Sequence, residues 1–148
     1  MEQVLLDTNV VSELMRAKPS EAVVAWFAQH QQAILFTSAV TQAEVLLGVA
    51  LLPEGKRKKA LAEDAEITFE QDFAGRCLSF DGMAATEFAL LSAERTRAGK
   101  PMSTADAQIA AIALSHKLAL VTRNTKDFSD IRGLQVINPW SYSEVKPN

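Results

Sequence analysis

Within Val4-Leu5-Leu6-Asp7-Thr8-Asn9, the first three residues are a wholly apolar run that stops at a carboxylate and two further polar residues. A run of this length, bounded by turn-forming residues, reads as a strand buried on both faces and ended by a polar turn. Strand-length segments recur at Ala33–Thr37, Arg76–Phe80, Leu118–Thr122 and Leu134–Ile137, the last closed by Asn138-Pro139-Trp140. Helical patterns lie between them. A short helix is expected over Val11–Arg16, ended by Pro19. Ser20 can cap a second, along which Val23, Val24, Phe27 and Ala28 form a stripe of 3.6-residue period. Thr41-Gln42-Ala43-Glu44 is expected to open a third helix through about Leu52, before Pro53. Lys56 to about Gln71 is helical in composition, and Asp81 can cap a helix that runs to Arg97 and stops at Gly99. Ser103-Thr104-Ala105-Asp106 opens another, whose Ile109, Ala110, Ile112, Ala113 and Leu114 imply burial nearly all round. Strands alternating with helices make βαβ units, so the fold class is α/β with a parallel sheet covered by helices.

The 148 residues suit one domain over 1–148, and 48% apolar with 22% charged residues is the balance of a globular protein. A domain of this size buries enough surface to need no disulfide or metal staple. The single cysteine, Cys77, excludes an internal disulfide and a cysteine-rich zinc site. No stretch approaches the length of a membrane span, and the amino terminus lacks the basic region of a signal peptide, which predicts a cytoplasmic protein. The formal net charge of −3 would not draw the chain to a polyanion, so any nucleic-acid chemistry needs a local reversal of sign.

In open parallel sheets, chemistry sits beyond the carboxyl ends of the strands. Asp7 ends the first strand, Glu44 and Asp106 fall in the first turns of two expected helices, and Asn124 and Asp127 follow the fourth strand. Two carboxylates about 4 Å apart repel by roughly 4 kcal/mol at an effective dielectric near 20. A cluster of them must therefore take up protons or hold a cation. Oxygen-only donors suit a hard ion, Mg²⁺ or Mn²⁺, rather than zinc. Each acid also has a plainer reading. Glu44 lies three residues after Thr41 and Asp106 three after Ser103, the spacing of a capping box. Asp127 alone reads equally as a turn residue. Asp7 is harder to explain away, because a carboxylate straight after a buried strand is costly unless solvated or paired.

Four blocks, in order, carry a resemblance: Leu6-Asp7-Thr8-Asn9-Val10-Val11-Ser12-Glu13, Thr41-Gln42-Ala43-Glu44-Val45-Leu46-Leu47-Gly48, Asp106-Ala107-Gln108-Ile109-Ala110-Ala111 and Val121-Thr122-Arg123-Asn124-Thr125-Lys126-Asp127-Phe128. Together they resemble the PIN-domain signature, and most of all the VapC toxins of bacterial type II toxin–antitoxin pairs in their FitB-like branch. The resemblance extends through Val136-Ile137-Asn138-Pro139-Trp140 and covers nearly the whole chain. It implies a three-layer α/β/α domain with a central parallel sheet of four to five strands. It also implies a Mg²⁺-dependent endoribonuclease, with Mn²⁺ as an alternative ion, that hydrolyses RNA by in-line attack of a metal-activated water. Asp7, Glu44 and Asp106 would build the metal site, Glu44 either ligating the ion or orienting the water. The fourth acid of the family corresponds here either to Asn124 or to Asp127. Thr8, Ser38, Ser103 and Thr122 would supply supporting hydroxyls. The implied partners are RNA, a homodimer mate and a VapB-like antitoxin that covers the site. Operator DNA would be bound only through the antitoxin, because this chain has no convincing helix-turn-helix.

Other features divide between structural and functional readings. Lys56-Arg57-Lys58-Lys59 is either a solvated helix face or a phosphate contact, and the same choice holds for Arg95, Arg97 and Lys100. Arg123, beside the expected site, would contact phosphate or pair with a carboxylate. His30 and His116 form no acid–base arrangement with Cys77 and read as structural, as do Trp26 and Phe27. The apolar run Val45–Leu52 is too apolar all round for a simple surface helix and suits a subunit interface. An Asp-nucleophile phosphatase would want a second Asp where Asn9 stands, a receiver domain paired acids at the first strand end, and a nucleotide fold a Gly-rich loop. The non-enzymatic alternative is a catalytically silent PIN-like binding module that acts through a protein partner.

Overall fold

In a computed structural model, residues 2–143 are described. The apolar run at the amino terminus forms β1 (Gln3–Leu6), and every one of its last three residues is fully buried. It pairs in parallel with β2 (Ile34–Ser38) on one side and β4 (Ala119–Val121) on the other, with Val4 opposite both Leu35 and Ala119. β3 (Cys77–Leu78) and β5 (Val136–Ile137) complete a five-stranded sheet in the order β3-β2-β1-β4-β5. All four pairings are parallel.

Helices fill both faces. From β1 the chain passes through α1 (Thr8–Leu14) and α2 (Glu21–Gln29) to β2, then through α3 (Ala39–Ala50) and α4 (Lys56–Ile67) to β3. It returns through α5 (Gly82–Arg97) and α6 (Thr104–Ser115) to β4, and a four-residue α7 (Thr125–Phe128) leads to β5. Side chains alternate across a strand, so β1 feeds two cores. Leu5 packs with Ile109, Ile112 and Phe128 on the α5–α6 side, whereas Val4 and Leu6 pack with Val10, Val11, Trp26 and Phe69 on the other. This is the expected three-layer α/β/α arrangement. Leu120 and Val121 of β4 divide between the same two cores.

The differences from expectation lie at element ends. α1 starts at Thr8 rather than Val11, because Asp7 acts as its cap: the Asp7 carbonyl accepts from Val10 and Val11, and its carboxylate from the N–H of Thr8. Burial of Val10 and Val11 outweighs their modest helix propensity. α3 starts at Ala39, capped by Ser38 rather than Thr41. The expected Lys56–Gln71 helix ends in a π-helical turn over Thr68–Asp72, which seats Phe69 and Phe73 in the core. The two edge strands are short, as suits a sheet edge. α7 was not foreseen, since four residues carry no periodicity. Among the described residues no helix is long and apolar enough to cross a membrane.

Candidate active site at the carboxyl end of the sheet

The chain runs outward from β1 to β2 and β3, then crosses back to place β4 on the other side of β1. Where strand order reverses, the two flanking crossovers diverge and leave a crevice beyond the strand ends. Asp7 leaves β1 at that crevice, and Thr122 leaves β4 beside it. Asp7 is only 3% exposed. Its Oδ1 accepts the Thr8 N–H at 2.8 Å, and its Oδ2 accepts the Thr122 hydroxyl at 2.7 Å and the Asn9 amide at 3.3 Å. Burial, with a smaller push from the charges of Asp106 and Glu44, raises the Asp7 carboxyl to about 6 against the pull of the Thr122 and Thr8 bonds.

Glu44 reaches the site from α3. Its Oε1 accepts the Thr8 hydroxyl at 2.7 Å, and that hydroxyl lies 3.1 Å from the hydroxyl of Thr41. The capping-box reading of Glu44 does not hold: Ser38 caps α3 by accepting the Thr41 N–H at 3.1 Å, which leaves Glu44 in the second turn, exposed and turned to Thr8. Asp106 does occupy the capping position, because the Ser103 hydroxyl accepts its N–H at 3.2 Å. It belongs to the cluster as well. Burial raises the Asp106 carboxyl, the Ser103 hydroxyl opposes this, and the charges of Asp127 and Glu44 add to the rise.

Asp7, Glu44 and Asp106 thus meet at one rim, close enough to feel one another's charge. They do not converge on one point: among the described residues no three acidic, histidine or cysteine side chains stand ready to share an ion. Both oxygens of Asp7 and one of Glu44 are taken up by Thr8, Thr122 and Asn9 instead. The donor set is all oxygen, which matches a hard divalent cation in type. Asp127 lies exposed on α7 as a charge neighbour of Asp106, and Asn124 is exposed at the start of that helix without a side-chain cap bond. Arg123 pairs with no carboxylate among the described residues. Its N–H donates to Asn9 Oδ1 at 3.2 Å, and its guanidinium lies over the Trp140 ring at 5.1 Å.

A PIN-domain family model matches residues 4–134. The chain belongs to the PIN-domain family. This PIN chain is 43% identical to the protein named Toxin FitB of Neisseria gonorrhoeae, over 93% of its own length and 98% of that relative. It is 41% identical to the VapC ribonuclease Y4jK of Sinorhizobium fredii, over 93% of its length and 97% of the relative. The solved structure of FitAB bound to an IR36 DNA fragment superposes with a TM-score of 0.83 at 40% identity, covering 95% of this chain and 98% of that one.

One residue of this PIN chain's acidic rim has a part that the sequence reading does not give it. Asn9 bonds to Asp7, to the Thr122 hydroxyl at 3.3 Å and to the main chain of Arg123, so it stitches the ends of β1 and β4 together. The signal was present, since an amide two residues after a buried acid can reach back to it. The basic run opens α4, where Lys58 is occupied by Glu54 at 2.6 Å and by the Ala50 carbonyl. Arg57 instead lines a groove of about 930 Å³ between α1, α3 and α4 that also exposes Thr8 and Glu44.

Proposed function

We propose that this chain is an endoribonuclease, the toxin of a type II toxin–antitoxin pair, working over residues 1–148 as a single PIN domain. The observation that carries the reading is Asp7: a buried carboxylate at the end of the central strand, raised by burial and by two further acids, and held by hydroxyl and amide donors. A structural acid has no use for like charges drawn from two other helices. The names of its relatives, a VapC ribonuclease and Toxin FitB, agree in substrate class and role.

Asp7 and Asp106 are the side chains we assign to holding Mg²⁺ or Mn²⁺, and Glu44, kept on Thr8, completes the acidic rim beside them. A bound divalent ion supplies a lowered water pKa and charge neutralisation at a phosphoryl oxygen. The protein's share is geometric. Thr122 and Asn9 fix the Asp7 carboxylate, Thr8 holds Glu44 as the group that orients the attacking water, and Ser103 sets the first turn of α6 on which Asp106 rides. Arg123, steadied on Trp140, offers its guanidinium to an RNA phosphate at the rim, and Asn124 lies beside it.

The groove that exposes Glu44 is the surface we assign to the antitoxin, with Val45, Val49 and Leu61 among its apolar walls. Leu46 and Leu47 project from α3 at 43% and 59% exposure, and suit a homodimer. Operator DNA would be met through the antitoxin, and the site of action would be the cytoplasm. The test is cleavage of purified total RNA by the isolated protein in Mg²⁺ or Mn²⁺, with EDTA and Asp7→Asn as controls. Discrete products lost in both controls are expected. A folded protein that neither cleaves RNA nor binds Mn²⁺ would be the silent binding module instead.

A further inference from the structure

Three backbone carbonyls from two distant parts of the chain meet on one side chain, that of Arg95. It lies half-buried in the last turn of α5. Its Nε donates to the Lys100 carbonyl at 2.9 Å, one terminal nitrogen to Ser129 at 2.7 Å and the other to Asp127 at 3.3 Å. The main chain closes the same turn from the other side. Lys100 N–H donates to the Arg95 carbonyl at 2.9 Å and Gly99 N–H to Thr96 at 3.1 Å, with Gly99 at φ +74°. This is the Schellman pattern that glycine favours. Lys100 is therefore bonded to Arg95 through both its N–H and its carbonyl, a few residues ahead of Ser103 and Asp106.

At the other end, the carbonyls of Asp127 and Ser129 belong to the end of α7. A helix of four residues leaves its carboxyl-terminal carbonyls unsatisfied, and a cationic fork is a strong partner for them. Phe128, 1% exposed, anchors α7 in the core. Among the described residues nothing bonds to the Asp127 carboxylate itself, so its place is set through its main chain. The reading of Arg95 as an RNA contact gives way to this one.

We infer that Arg95 is a positioning residue: its guanidinium fastens the turn that carries Asp127 to the segment that leads into Asp106, and so sets the spacing of those two acids. The inference rests on the nuclease reading above, with Asp127, a charge neighbour of Asp106, taken as the fourth acid of the metal site. A lysine cannot replace it, because a single ammonium has no planar fork with which to reach three carbonyls. The exposed Lys100–Asp130 pair, at 3.5 Å, spans the same two segments and serves as a control, since such pairs contribute little.

The experiment measures the Mn²⁺ dissociation constant of the full chain by electron paramagnetic resonance, alongside melting temperature and the rate of total-RNA cleavage at saturating Mn²⁺. Arg95→Lys and Arg95→Gln are each expected to weaken Mn²⁺ binding on the order of tenfold, as loss of a partner behind a ligand does. The loss should vanish in an Asp127→Asn background, and Lys100→Ala should stay within about twofold of wild type. Wild-type affinity in Arg95→Lys, an undiminished loss in the Asp127→Asn background, or failure of both Arg95 variants to fold would overturn the positioning role alone. A wild-type chain that neither binds Mn²⁺ nor cuts RNA overturns the nuclease reading and takes this inference with it.

Discussion

Thr122 and Asp7 stand 115 positions apart in sequence, and the hydroxyl of one donates to the carboxylate of the other at 2.7 Å within the buried end of the sheet. Thr122 is fully buried, and its oxygen also accepts the N–H of Asn124 at 3.0 Å. The bond therefore joins the central acid, the end of β4 and the start of α7.

Replacing Thr122 by valine keeps the volume and removes the hydroxyl. Loss of a hydrogen bond to a buried charged group costs roughly 1.5–3 kcal/mol. Thermal denaturation at pH 8, where Asp7 is ionised, should show a loss of that size. It should shrink towards pH 4, where the carboxyl is protonated. An equal loss at both values would mean that the threonine matters to packing only.

Asp7 itself gives the stability a pH dependence. In the folded chain its carboxyl is pushed up to about 6 from an ordinary 3.8. A raised carboxyl favours the folded state when protonated, so this contribution is whole below about pH 4 and is lost as pH rises through about 6. The shift corresponds to about 3 kcal/mol. In EDTA, Asp7→Asn should match wild type near pH 4 and exceed it in melting temperature above pH 7. Added Mn²⁺ should raise the wild type and leave the variant unmoved. A constant gap across pH would contradict the assignment.

Thr8→Ala leaves the Glu44 carboxylate without its donor. RNA cleavage should fall on the order of tenfold through kcat, with KM little changed, and Thr8→Ser should restore it. A loss confined to KM would place Thr8 in RNA binding rather than behind Glu44.

Arg123→Ala removes the cation that rests on Trp140. Binding of RNA to the inactive Asp7→Asn chain should weaken, and the slope of log affinity against log salt should fall by about one unit. Trp140→Ala should weaken binding while leaving that slope intact. An unchanged slope in Arg123→Ala would remove arginine from the phosphate contacts.

The fold was legible because β1 reads as an unbroken apolar run and α6 as apolar nearly all round, and both are buried as those patterns require. That Asp7 and Asp106 share one rim was legible from their places at a strand end and a helix start. Glu44 was found for a partly mistaken reason, since spacing from Thr41 cannot tell a cap from a second-turn residue when Ser38 offers a better one. The sequence leaves Arg95 open between a solvated face and a phosphate contact, and beyond its near neighbour Asp7 it hides the partners of Asn9, because those partners are main-chain groups or residues far along the chain. No local pattern announces such a bond. α7 had no signal at all, as its place depends on Phe128 and on the Arg95 fork.

β1 leaves the ribosome well before β4, yet β4, which begins at Ala119, is one of its two neighbours. A chain interrupted anywhere before Thr122 lacks the hydroxyl that holds Asp7, and one interrupted before Asp106 lacks a whole acid. Unfinished or clipped chains should therefore be inert towards RNA. Competence therefore waits on the return of the chain from α6 to β4, which brings Thr122 beside an acid made more than a hundred residues earlier.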